Sequence, residues 1–176
     1  MSEERKLPFV WEMKHEDAVS HAMGAVNVRS MPRPENYTKD IVHYLDGKDI
    51  VFVESVVPDA GTLDYAVVDI ARDKELILRR ISTKDESKKF YLYYSALINN
   101  REAAAAYKKG DEAELKIIYG APMDSHNAIN TNIVEQSIRF IKALPTLLAA
   151  NLAHFLVEPS LLTLYQENGI KIKRIQ

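Results

Sequence analysis

Apolar positions recur along this chain first with a period of two, then with a period near 3.6, and the alternation of the two patterns lays out its elements. Leu7-Pro-Phe-Val-Trp-Glu-Met13 puts Phe9, Trp11 and Met13 on one side of a first strand. Polar Lys14–Asp17 makes a turn, and a second strand runs from about Val19 to Val28 with Gly24 inside it, which suggests close backbone approach or a bulge. Pro32 and Pro34 end that strand. Tyr37, Ile41 and Leu45 mark a helix that Asn36 would cap and Asp46-Gly47 would stop. Asp49-Ile-Val-Phe-Val-Glu-Ser-Val-Val57 is the clearest strand, because consecutive β-formers read as buried on both faces of a parallel sheet. Glu54 stands where that run ends. Leu63, Ala66, Val67, Ile70 and Ala71 then form a helical stripe opened by Thr62, followed by a strand over Glu75–Ile81.

From Thr83 the texture becomes helical. Thr83-Lys-Asp-Glu86 has capping-box spacing, and Phe90, Tyr93, Tyr94, Leu97 and Ile98 stripe a helix predicted to continue to Tyr107. Gly110 stops it, Asp111-Glu-Ala-Glu114 opens another, Gly120-Ala-Pro122 breaks that one, and a further helix is predicted from Asn132 with Val134, Ile138 and Ile141. Leu147–Leu156 is ambiguous, since leucine and alanine favour helices. A short apolar run between a helix and a helix started by Pro159 also fits a buried parallel strand, and that reading is adopted. A capped helix to Gly169 and a strand over Ile170–Ile175 close the chain. The class is therefore α/β: one domain with a central mixed, largely parallel sheet flanked by helices, and a helical insert over residues 83–144.

Composition narrows the function classes. A chain of 176 residues is long enough to bury a real core, and a formal charge of −2 supplies no basic field for nucleic acid. The absence of cysteine excludes disulfides, thiolate nucleophiles and Cys-type zinc sites. The charged start Met1-Ser-Glu-Glu-Arg-Lys6 leads into no long apolar stretch, which argues against a signal peptide or membrane span and leaves the cytoplasm as the default.

Ligands of open α/β sheets sit beyond the carboxyl ends of the strands, and Asn27, Glu54 and His154 are the polar residues at the proposed ends. Glutamate with histidine can bind a metal or transfer protons. The alternative reading is structural: a hydrogen-bonded histidine and an ion-paired glutamate, since unpaired buried charge is costly. His15, His21, His43 and His126 lie in segments read as polar or surface and share no ligand spacing. No serine sits in a nucleophile elbow, Gly24 belongs to no phosphate loop, and Tyr91, Tyr93 and Tyr94 read as helix packing.

The order of these segments resembles the TraB/GumN family, the TIKI-type group of metal-dependent hydrolases. The matching pieces are Phe9-Val-Trp11, Gly24-Ala-Val-Asn27 in place of a G-x-x-H strand, Val51-Phe-Val-Glu54, and Ala106-Tyr-Lys-Lys-Gly-Asp-Glu-Ala-Glu-Leu115. Asn151-Leu-Ala-His154 then stands for the second G-x-x-H, before Ser160–Gly169 and the last strand. The resemblance implies catalytic Glu54 and His154, a divalent metal (zinc, manganese or cobalt) on His154, Glu54 and the Asn27 position, and close approach at Gly24 and Asn151 on the cofactor side. The departures are as telling. Asn27 replaces the first histidine, and an amide oxygen is a poor substitute for imidazole at a transition metal. Asn151 replaces a glycine, and the segment Leu78-Arg-Arg-Ile-Ser-Thr83 stands where relatives often carry another acidic residue. These losses together predict a weakened or noncatalytic member that keeps its crevice for a peptide, small-molecule ligand or partner. An active metal-dependent hydrolase is the second expectation, and a haem or small-cofactor protein with His154 as axial ligand is the third.

Overall fold

The computed structural model describes residues 6–26, 33–55, 58 and 61–176. The chain opens with strands β1 (Val10–His15) and β2 (Ala18–Ala25), then a 3-10 turn over Pro34–Tyr37, helix α1 (Thr38–Leu45) and strand β3 (Ile50–Val53). Helix α2 (Leu63–Asp73) and strand β4 (Ile77–Arg80) follow. Four helices come next: α3 (Lys84–Ile98), α4 (Arg101–Lys109), α5 (Glu112–Tyr119) and α6 (His126–Ala143). Strand β5 (Thr146–Asn151), the helical turn α7 (Ala153–Leu156), helix α8 (Leu161–Glu167) and strand β6 (Lys171–Arg174) complete it.

The strands form one sheet in the order β4-β3-β5-β2-β1-β6. The α/β reading holds: β4, β3, β5 and β2 run parallel, and β1 pairs antiparallel with both β2 and β6. Every residue of β3 and β5 is buried, because both faces of the sheet are covered. Val51, Val53, Leu147 and Ala149 pack with Ile41, Leu45, Val67 and Ala71 of α1 and α2. Their alternates Ile50, Phe52, Leu148 and Ala150 face the opposite core with Phe90, Ile133, Leu161 and Tyr165. Period-two alternation thus distributes one apolar run between two cores.

Several boundaries differ from the sequence expectations. The first hairpin turns tightly, with Glu16 at φ 51°, so Lys14 and His15 stay in β1. β2 ends at Ala25, and Asn27 and Val28 lie outside the described residues. Asn36 sits inside the 3-10 turn and no side chain caps α1. The long helix predicted through Tyr107 is two, because Asn100 leaves the helix and its Oδ1 accepts the Ala103 N–H to cap α4. α6 begins at His126, six residues before Asn132. The Leu147–Leu156 strand stops at Asn151, whose Oδ1 accepts the Ala153 N–H at 3.0 Å and turns the chain into α7. His154 therefore lies in a helical turn just past the strand end.

β3 and β5 are parallel neighbours whose chains leave in opposite directions across the sheet, β3 toward β4 and β5 toward β6. Their carboxyl ends form a topological switch point, where open α/β sheets hold their crevice.

Candidate functional site

Glu54 follows the last residue of β3 and His154 the end of β5, and the two side chains meet across the switch point. Glu54 Oε1 lies 3.1 Å from His154 Nε2. Glu54 Oε2 accepts the Asn151 backbone N–H at 2.8 Å, so both carboxylate oxygens are engaged and the residue is only 9% exposed. The His154 ring, 1% exposed, stacks on Phe90 of α3 with centroids 3.5 Å apart and an interplanar angle of 9°.

Behind His154 stands a polar chain that the sequence reading did not find. Asn130 of α6 faces His154 Nδ1 through Oδ1 at 2.6 Å. Its Nδ2 donates to the carbonyls of Pro159 at 2.9 Å and His154 at 3.3 Å, which fixes the amide orientation. One turn earlier, His126 is 1% exposed. Its Nε2–H donates to the Val157 carbonyl at 2.8 Å, leaving Nδ1 to accept the Tyr94 hydroxyl at 2.7 Å. That hydroxyl in turn accepts the Met123 N–H. Burial lowers the His126 pKa from 6.5 to about 4, so the ring is neutral in this arrangement.

Hydrogen-bond roles then dictate where one proton lies. Asn130 Oδ1 can only accept, so His154 Nδ1 carries a hydrogen. A neutral ring would then aim a bare Nε2 lone pair at Glu54 Oε1. Two acceptors do not sit 3.1 Å apart in a dry site, so a proton lies between them. The pair is closed: each polar atom of Glu54 and His154 has a partner in the protein.

A hollow of about 350 Å³ opens beside this pair, lined among others by Glu54, Asn151, Thr62, Arg80, Lys84 and Tyr91. Two residues expected at the site, Glu54 and Asn151, thus line the crevice, and His154 lies beneath it. Asn27 lies outside the described residues. Gly24 does not line this hollow; its missing Cβ would fall 2.5 Å from Leu152 Cδ1 and 3.3 Å from Phe9 Cβ, so the close approach it permits is to core side chains. His126, expected at the surface, is the largest correction. Its spacing from Asn130 (i, i+4) on the stripe of Ile129, Ile133 and Val134 was the available signal.

Catalytic zinc sites use three protein ligands, and no cluster of three or more His, Cys, Asp or Glu side chains able to hold a metal occurs among the described residues. Glu54 and His154 supply two donors that already satisfy each other. The third expected position, Asn27, lies outside the described residues. An axial haem ligand does not fit, because both His154 ring nitrogens are engaged and the ring is covered by Phe90. No described helix is long and apolar enough to cross a membrane. No family model, curated protein or solved structure matches the chain.

Proposed function

We propose that this chain is a TraB/GumN-like protein on a TIKI-type hydrolase scaffold in which catalysis is weakened or lost and the crevice serves to bind a small-molecule or peptide ligand. The observation that carries this reading is the closed Glu54–His154 pair, with Nε2 3.1 Å from Oε1 and Asn130 Oδ1 on the far ring nitrogen. In that state each carboxylate oxygen already holds a donor from the protein, and a ring protonated at both nitrogens has no lone pair to bind a metal. The pair instead ties the end of β3 to the turn after β5 and holds the crevice open beside it.

One feature favours the second reading, an active metal-dependent hydrolase. Metal-bound histidines commonly donate their second N–H to a fixed oxygen, as His154 does to Asn130. Titration calorimetry with zinc, manganese and cobalt separates the two. The proposal expects no binding at about micromolar Kd. Micromolar binding that disappears in both Glu54→Gln and His154→Ala, each with an unchanged circular dichroism spectrum, would install the hydrolase instead. Asn27→His restores the family's first histidine and is expected to raise metal affinity; an unchanged affinity would place position 27 outside the site.

A further inference from the structure

A second hollow of about 360 Å³ lies beyond Arg80, lined by Phe52, Arg79, Arg80, Glu135, Gln136 and Arg139. Three arginines line it. Arg79 of β4 and Arg139 of α6 both lie over the Phe140 ring, at 4.8 and 4.7 Å from its centroid. Arg80 donates through Nε to the Glu54 carbonyl at 3.2 Å and lines the hollow. Among the described residues none of the three is ion-paired, and Glu135, one turn before Arg139, makes no bridge to it.

Like charges gathered without counter-charges repel one another, and here two are held by an aromatic ring and one by a backbone carbonyl. Three guanidiniums against the single Glu135 carboxylate leave two positive charges on the lining. That matches a phosphate monoester dianion, and planar guanidiniums bind phosphate oxygens in pairs.

We infer that this arginine hollow binds the phosphate group of a small molecule. The site is separate from the Glu54–His154 pair and does not depend on how that pair functions. Arg80 lines both hollows, so a phosphate held here directs the rest of its carrier toward Glu54 and Asn151.

The test is calorimetry with inorganic phosphate and phenyl phosphate on the full chain, with chloride holding ionic strength constant. Saturable binding at about millimolar Kd or tighter is expected. Arg139→Met and Arg79→Met, both changes of exposed side chains, should each weaken it about tenfold. Glu135→Gln should strengthen it. Lys142→Met removes a cation from the same helix outside the hollow and should leave it unchanged. Tighter phenyl phosphate identifies an organic carrier, and equal affinity identifies free phosphate; either ranking supports the site. No saturation by either probe, or an equal loss in Lys142→Met and Arg139→Met, would overturn it.

Discussion

Two polar regions flank the carboxyl ends of β3 and β4, and they are built on opposite terms. In the first, Glu54, His154 and Asn130 are buried and hydrogen-bonded in series, and His126 and Tyr94 are buried beside them, bonded to each other and to backbone carbonyl and N–H groups. In the second, Arg79 and Arg139 are exposed, Arg80 is half-buried, and no described carboxylate pairs with any of them. The difference follows from solvent. A dry polar group must find its partner inside the protein, so the buried chain is complete and reads as structure. A solvated cation has no such obligation, so unpaired arginines held in place read as reserved for a ligand. Chemistry-bearing residue types alone would have ranked the two regions the other way.

The contrast breaks most visibly at Asn130. Asn130→Leu strips the buried acceptor from His154 Nδ1 and the donor from the half-buried Pro159 carbonyl. A loss of about 3–5 kcal/mol in urea unfolding is expected, the sum of several unmade buried hydrogen bonds. A loss below 1 kcal/mol, roughly the effect of a surface change, would show that the chain is not a structural unit.

Next is the pH response of His126. Its folded pKa of about 4 lies below the ordinary 6.5, so the unfolded chain binds more protons between these values. Its contribution is fully present above pH 6.5 and is lost as pH falls toward 4. The amount is about 3 kcal/mol. His21, also lowered to about 4 by burial, adds a parallel trend. His126→Gln isolates the first: the stability difference between neutral and acidic buffer should shrink by most of that amount. An unchanged difference would assign the acid response elsewhere.

The smallest effect belongs to the arginine hollow. Arg139→Met should alter stability by no more than about 0.5 kcal/mol, since an exposed cation over a ring contributes little to folding. A large loss would make Arg139 a structural residue and remove the contrast.

How much of this was legible follows from which forces are local. β3 announced itself because burial on both faces demands an unbroken apolar run, and Glu54 marks where that run stops. β5 was legible as a strand only by its length and flanking elements, and its stop at Asn151 was missed because the apolar run continues into the helical turn α7. The Thr62 and Thr83 caps were equally legible, being short-range hydrogen bonds written in adjacent residues. The start of α6 was not. His126-Asn-Ala-Ile-Asn-Thr-Asn132 is poor in strong helix formers, and tertiary packing of His126, Ile129 and Asn130 overrides that propensity. Misplacing that start hid half of the buried polar chain, and with it the partner that sets the His154 proton. The arginine hollow was hidden for a different reason. Arg79 and Arg139 are far apart in sequence and meet only over Phe140.

The central claim is that a proton joins Glu54 to His154, and the ring nitrogens of His154 report on it directly. Long-range ¹H–¹⁵N correlation near neutral pH should show Nδ1 protonated and Nε2 hydrogen-bonded to a shared proton, with no change on adding zinc. A bare pyridine-type Nε2, shifting on stoichiometric zinc, would contradict the account and return the pair to metal chemistry.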